Sequence, residues 1–231
     1  MFNIINIMKK PIKFLVDTAN LNEIKEAVSL GFFSGVTTNP VIVAKETKDY
    51  MAHIKKILNI IPKDWDLSVE VRAGGSEYMI KQAQRLNKLD NRIRIKIPAN
   101  EEGLKAAKKI AGEMLINMTV VKLPSQAILC QALMSLRKPK NVYLSLFCGR
   151  INQAGFDWKL VLKQISEIEW PGELLAASIK TPFDISEAIF NGADIVTAPL
   201  DVYKMALNSK IVWEDIDLFN NSFDGKNFEI K

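Results

Sequence analysis

Histidine is almost absent from this chain of 231 residues, whose single copy, His53, sits in the helix-like context Met51-Ala52-His53-Ile54. A zinc site built on histidines is excluded, and so are the usual Ser–His–Asp and Cys–His nucleophile systems. Cysteine is nearly as scarce. Cys130 and Cys148 make at most one pair, too few for a disulfide scaffold, so a reducing cytoplasm is the default compartment. No stretch approaches the ~18 uninterrupted apolar residues of a membrane span. The opening Met1-Phe2-Asn3-Ile4-Ile5-Asn6-Ile7-Met8 lacks a basic leader and interrupts its apolar run, which argues against a signal peptide. Met8 is a candidate alternative start, and residues 1–12 read as an N-terminal extension. Neither a Walker loop nor GxGxxG occurs; Ala73-Gly74-Gly75-Ser76 has the spacing of neither. No Pro/Gly/Ser-rich linker divides the chain.

The formal charge of +5 is mild, and lysines such as Lys55, Lys56, Lys105, Lys108 and Lys109 are spread along helical faces. Aromatics do not interleave with them, so nucleic acid is not an expected partner, whereas an anionic metabolite suits the basic balance. A composition 48% hydrophobic and 25% charged fits one soluble globular domain with a large core. What survives these exclusions is metal-free chemistry on a small molecule.

Lys96 is the residue that points to such chemistry. It stands in Ile93-Arg94-Ile95-Lys96-Ile97-Pro98, a β-rich run stopped by proline. Burial at a strand end strips hydration from an ammonium and favours the free amine, the form that attacks a carbonyl. A strand lysine that snorkels into water is the bland alternative. The rest of the chain decides between them.

Eight short apolar or β-branched runs recur, each followed by a helix-like stretch: 14–16, 35–38, 67–71, 93–97, 115–121, 142–147, 174–178 and 195–197. Helical spacing shows in Leu21-Ile24-Ala27-Val28 and Ile128-Leu129-Ala132-Leu133, and helix starts in Thr181-Pro182 and Asn100-Glu101-Glu102. Eight β/α units predict an α/β fold, a single (β/α)8 TIM barrel over residues 13–205, followed by a C-terminal helical segment over 206–231. Active sites of such barrels form at the C-terminal ends of the strands. Reading those ends gives Asp17, Thr38 with Asn39, Glu70, Lys96, Asn117 with Thr119, Ser145 to Arg150, and Ser178 to Lys180. Asp17 and Asn39 also suit turn or cap roles, Glu70 a pair with Arg72 or Arg94, Ser145 a packed strand position and Lys180 a solvated loop. Yet seven of eight strand ends carry a group fit for chemistry, which is hard to attribute to capping alone.

These residues together resemble the transaldolase family, in particular the short branch that includes fructose 6-phosphate aldolases. The likeness rests on Val16-Asp17-Thr18-Ala19-Asn20, Gly35-Val36-Thr37-Thr38-Asn39-Pro40, Val69-Glu70-Val71, Ile95-Lys96-Ile97-Pro98, Asn117-Met118-Thr119, Phe147-Cys148-Gly149-Arg150-Ile151 and Ala176-Ala177-Ser178-Ile179-Lys180-Thr181-Pro182. It implies a class I aldol mechanism in which Lys96 forms a Schiff base and Asp17 takes the C4 hydroxyl proton, the iminium being the electron sink so that neither a metal nor a cofactor is needed. It further implies that Glu70 and Thr119 hold a water, and that Asn39 and Asn117, with Thr38 and Ser145, contact the dihydroxyacetone unit. Arg150, Ser178 and Lys180 are the expected phosphate ligands, aided by backbone N–H groups of the Thr181-Pro182 helix start.

Glu70 and Phe147 stand where aldolases of this branch carry glutamine and tyrosine, and Asn117 also follows the transaldolase pattern. A phenylalanine cannot hydrogen-bond a water, so transfer is expected to outrun protonation of the enamine. The implied activity is a transaldolase of the pentose phosphate pathway, converting sedoheptulose 7-phosphate and glyceraldehyde 3-phosphate to erythrose 4-phosphate and fructose 6-phosphate. The alternatives are a fructose 6-phosphate aldolase releasing free dihydroxyacetone, another Schiff-base barrel aldolase, or an inactive phosphosugar-binding barrel. Three departures from the family pattern stand out: Lys122, Asn152 and Arg94. Counting by twos puts Arg94 on the same barrel face as Lys96, where it needs an anionic partner. Trp213, Ile216, Phe219 and Phe223 suit an apolar stripe on a terminal helix, which the resemblance assigns to packing on a neighbouring subunit of a homo-oligomer, a decamer or pentamer-based ring; the alternative is a helix folded back on its own barrel, and sequence does not decide between them.

Overall fold

The computed structural model describes residues 11–137, 142–168 and 172–223. The expected extension up to residue 10, Met8 included, and residues 224–231 of the C-terminal segment lie outside the described residues. Eight strands form where the sequence predicts them: β1 (Lys13–Asp17), β2 (Phe33–Thr37), β3 (Asp66–Glu70), β4 (Ile93–Pro98), β5 (Leu115–Val121), β6 (Val142–Phe147), β7 (Glu173–Ala177) and β8 (Ile195–Ala198). All pair in parallel, each with its sequence neighbours, and β1 closes on β8 to complete the barrel. Helices α1 (Leu21–Leu30), α2 (Pro40–Glu46), α3 (Tyr50–Ile60), α4 (Ser76–Asn87), α5 (Glu101–Ile110), α6 (Pro124–Arg137), α7 (Cys148–Gln153), α8 (Trp158–Ser166), α9 (Pro182–Phe190) and α10 (Leu200–Leu207) fill the crossovers and follow β8. The expected barrel boundary at residue 205 falls inside α10.

Strand alternation divides the core in two. On β4, Ile93, Ile95 and Ile97 face outward into the layer between sheet and helices and are fully buried, each contributing about 1.5–3 kcal/mol of transfer free energy. The barrel interior holds a separate apolar cluster of Leu15, Tyr143, Leu175, Ala177 and Ile195. Helix starts are set by side chains: Asn20, Asn39, Asp49, Asn100 and Thr181 each accept a backbone N–H of the first turn.

Arg94 lies in the interior, 3% exposed, as its two-residue offset from Lys96 requires. Its anionic partner is Asp66, at the N-terminal end of β3: Nη2 reaches Oδ2 at 2.8 Å and Nε at 2.9 Å. The guanidinium also stacks 3.5 Å from the centre of the Tyr143 ring, whose hydroxyl donates to the same carboxylate oxygen at 2.8 Å. Lys13 and Glu173 add a second ion pair at this end of the barrel, 2.8 Å apart. The charge that looked anomalous in the sequence therefore plugs the bottom of the barrel.

Helix α11 (Lys210–Asn221) realises the predicted terminal helix but buries none of its residues. Trp213 and Phe219 are exposed and Ile216 is partly buried.

Candidate active site

A cavity of about 790 Å³ opens at the C-terminal ends of the strands. Asp17, Asn39, Glu70, Lys96, Ser145, Phe147, Arg150, Ser178 and Lys180 line it, so nine of the twelve candidate residues converge on one volume. The other three, Thr38, Asn117 and Thr119, are fully buried behind its wall.

Lys96 projects inward from β4 with its side chain 6% exposed. Nζ donates to the Thr38 carbonyl at 2.8 Å and lies 3.6 Å from Glu70 Oε2. Thr38 thus serves the lysine through its backbone, while its hydroxyl turns away to the Ser68 carbonyl at 2.9 Å. Neither Arg72 nor Arg94 takes Glu70, whose ion-pair partner is Lys96.

The carboxyls of Asp17 and Glu70 are both held toward their protonated forms. For Asp17, burial raises the pKa above the usual carboxylate value, opposed by the Lys96 charge, a hydrogen bond from Thr37 and the Lys180 charge. One face of Asp17 still meets the cavity, but protein atoms surround the rest, so lost hydration dominates. For Glu70 burial again leads, the Lys96 charge and hydrogen bond oppose it, and the Asp17 charge adds to the rise. Two carboxyls and an amine therefore share one enclosed volume in which proton exchange is cheap.

Behind them runs a fixed polar layer. Ser145 Oγ donates to Asn117 Oδ1 at 2.7 Å, and Asn117 Nδ2 donates to Ser68 Oγ at 3.2 Å, which sets the amide's orientation. Asn39 caps α2 by accepting from Ile42 N at 3.0 Å, leaving its amide N–H groups for a ligand. Thr119 Oγ1 is buried with no hydrogen-bond partner among the described residues. A hydroxyl so placed calls for a water or a polar ligand group.

The cationic corner is built by close backbone approach. Gly149 N–H donates to the Ser178 carbonyl at 3.2 Å, and a Cβ at Gly149 would come within 2.5 Å of that oxygen. Only glycine lets α7 start against the end of β7, which brings Arg150 to the same cavity as Ser178 and Lys180. Ser178 itself adopts φ 61°, a left-handed conformation uncommon for serine. At the α9 start the N–H groups of Lys180 and Thr181 donate to Asp184 Oδ2, and that of Asp184 to Thr181 Oγ1, so the capping box takes these three.

The sequence reading missed several wall residues. Thr37, Val120, Gln153, Lys45 and Thr197 all line the cavity. Thr37 and Thr197 were accessible by counting inward positions to the ends of β2 and β8. Val120 was not. By alternation it should face the helices, but one extra residue enters β5 between Met118 and Val121, and Val120 takes φ 60°. This bulge turns Val120 to the cavity and Val121 into the outer core. Of the other departures, Lys122 and Asn152 are exposed and outside the cavity lining. His53 is structural as predicted: its Nε2–H donates to the Ala19 carbonyl at 2.7 Å. Cys130 and Cys148 are separate buried thiols, and burial pushes Cys130 up to about 12.

A sequence model of the family described as Transaldolase/Fructose-6-phosphate aldolase matches residues 14–228. A protein of Shouchella clausii named "Probable transaldolase" is 37% identical over 221 residues, covering 94% of this chain and 99% of its own length. One of the same name from Caldicellulosiruptor saccharolyticus is 39% identical over 196 residues, covering 82% and 87%. Among solved structures, thiamine phosphate pyrophosphorylase from Pyrococcus furiosus aligns with TM-score 0.59 at 15% identity, covering 88% of this chain and 96% of that one. The 3-hexulose-6-phosphate synthase of Salmonella typhimurium aligns with TM-score 0.55 at 12% identity, covering 84% and 90%. At such identities the structural likeness speaks to the barrel fold alone.

Proposed function

This chain belongs to the transaldolase/fructose-6-phosphate aldolase family, and we propose that it is a transaldolase carrying a dihydroxyacetone unit on Lys96 between sugar phosphates. The observation that carries the reading is a lysine, 6% exposed and 3.6 Å from a carboxylate, in one cavity with Asp17 and a cluster of Arg150, Ser178 and Lys180. The Lys96 amine attacks the C2 carbonyl of a ketose phosphate, and loss of water leaves an iminium. Asp17 takes the proton of the C4 hydroxyl, the C3–C4 bond breaks into the iminium, and an aldose phosphate departs. The enamine then adds to the carbonyl of an acceptor aldose phosphate while Asp17 returns the proton. Water hydrolyses the new iminium and frees the ketose. Glu70 and the unpartnered Thr119 hydroxyl suit the water that forms and breaks the imine. Phe147 offers no hydrogen bond to a water at the enamine, which favours transfer over release of dihydroxyacetone. The guanidinium of Arg150, with Ser178 and Lys180, suits the phosphate. This reading belongs to the pentose phosphate pathway, in the cytoplasm.

Borohydride reduction in the presence of fructose 6-phosphate, followed by intact mass and peptide mapping, tests the Schiff base. The expected result is a dihydroxyacetone adduct on Lys96 that Lys96→Ala abolishes; folded protein without adduct overturns it. Equal release of dihydroxyacetone with and without erythrose 4-phosphate would assign an aldolase instead. Helix α11, with no buried residue of its own, is assigned to packing on a neighbouring subunit of a ring-based homo-oligomer. Light scattering should then give a mass far above 26 kDa, and a monomer would end that assignment.

A further inference from the structure

The eighth strand end is the one to which the sequence reading gave no chemical role. Its inward residue is Thr197, 2% exposed, on the cavity wall. Thr197 Oγ1 lies 2.6 Å from Thr37 Oγ1, and Thr37 Oγ1 donates to Asp17 Oδ1 at 2.7 Å. Counting protons gives the contact a direction. Ionised Asp17 can only accept, so Thr37 spends its single hydroxyl proton there, and only Thr197 has a proton left for the contact between the two threonines. The three residues stand on β1, β2 and β8, adjacent strands whose ladders run Asp17 opposite Thr37 and Leu15 opposite Thr197.

We propose that Thr197 is a positioning residue for Asp17, acting through Thr37 to orient and stabilise the carboxylate that exchanges a proton with substrate. The proposal rests on the aldol reading of Asp17 and adds a part to it. Head-to-tail hydroxyls polarise one another, so donation by Thr197 makes Thr37 the stronger donor. The chain occupies Oδ1 from one side, which leaves Oδ2 for the substrate hydroxyl. It also offsets the burial that pushes Asp17 toward its protonated form. The other charged or titratable groups facing Asp17 are Lys96 from β4, Lys180 beyond β7, Glu70 from β3 and Tyr203 from α10. The Tyr203 hydroxyl is committed to the carbonyls of Leu15 and Val196, each at 3.0 Å, and so does not substitute for Thr197.

The test compares wild type, Thr197→Val, Thr197→Ala and Thr197→Ser. Two readouts apply: ¹³C carboxyl titration of Asp17, assigned with Asp17→Asn, and the pH profile of retro-aldol cleavage. Loss of the hydroxyl should move the Asp17 midpoint up by roughly a few tenths of a unit, since one cooperative link is worth about 10–30% of a hydrogen bond. The acid limb of kcat/KM should move with it, KM should stay within about twofold, and serine should restore both. Thr197→Ala serves the same comparison if valine does not fold. An Asp17 midpoint unchanged in a folded hydroxyl-free variant, or a serine variant that fails to restore it, overturns the proposal. Wild type that forms no imine and cleaves no ketose phosphate would instead sink the aldol reading, while the carboxyl titration would still decide whether Thr197 acts on Asp17.

Discussion

At the scale of single residues, the site maintains its carboxyls against their solvation preference, and this has a sign that can be checked. Burial raises the pKa of Asp17 and of Glu70 above the unfolded values, so the folded protein binds more protons than the unfolded chain between the two values. Stability from these groups is therefore greatest below the unfolded pKa, near 4, and is lost as pH rises through the folded values. Asp17→Asn removes one ionisation. It should abolish aldol cleavage yet melt above wild type at pH 7, by roughly 2–4 °C for each kcal/mol relieved. Calorimetry from pH 7 to pH 4 should show that advantage shrinking, and an advantage that grows on acidification would contradict the assignment. The catalytic consequence has the same origin. A base held toward its protonated form is active only above the ordinary carboxylate range, and it is the better acid when it must return the proton.

At the scale of elements, the β5 bulge decides which side chains reach the substrate. Val120 is β-branched and left-handed at φ 60°, a conformation that costs an L residue roughly 1–2 kcal/mol. Glycine adopts it without that cost. Val120→Gly should hold its melting temperature within a few degrees while KM for the ketose phosphate rises several-fold, because one wall of the cavity is gone. Val121→Ala, one residue on, should do the reverse: about 2 kcal/mol of stability lost from the outer core and KM little changed. Thermal melts and steady-state kinetics on both variants separate the roles. Equal effects from the two would mean that the bulge does not exchange their sides. Neighbouring elements rely on the same economy of space, since α7 meets β7 only because position 149 carries no side chain.

At the scale of the whole molecule, the barrel separates stability from chemistry along its axis. The C-terminal rim holds buried carboxyls, an unpartnered hydroxyl and left-handed residues, all of which cost free energy. The N-terminal end holds the Arg94–Asp66–Tyr143 cluster, in which Asp66 Oδ2 takes the guanidinium and the phenol while Oδ1 is buried without a hydrogen-bond partner among the described residues. Breaking a buried pair strands its partner, so Arg94→Met should cost about 3–5 kcal/mol in a denaturant melt while Lys96 still forms its imine at low temperature. Adding Asp66→Asn should recover part of the loss. A variant as stable as wild type, or one that folds but cannot form the imine, would show that Arg94 does not work as a structural plug.

Much of this was legible in residue order. The eight β/α units follow from periodicity, which local sterics and the burial of one face dictate, and the strand-end polar residues follow from the barrel's handed geometry. Lys96, Asp17 and Glu70 could be named because each stands where a strand should be apolar or should end. Tertiary structure alone decided the partners. Arg94 could be seen to need an anion, but Asp66 lies 28 positions earlier in the chain and reaches it only through the β3–β4 register. That the Thr38 carbonyl anchors the lysine shows only in the fold, where the turn after β2 rotates its hydroxyl to Ser68. The Val120 bulge and the Thr197–Thr37–Asp17 chain depend on where neighbouring strands start and stop. Sequence sets the period of each strand, whereas the stagger between strands is fixed only when the sheet closes on itself.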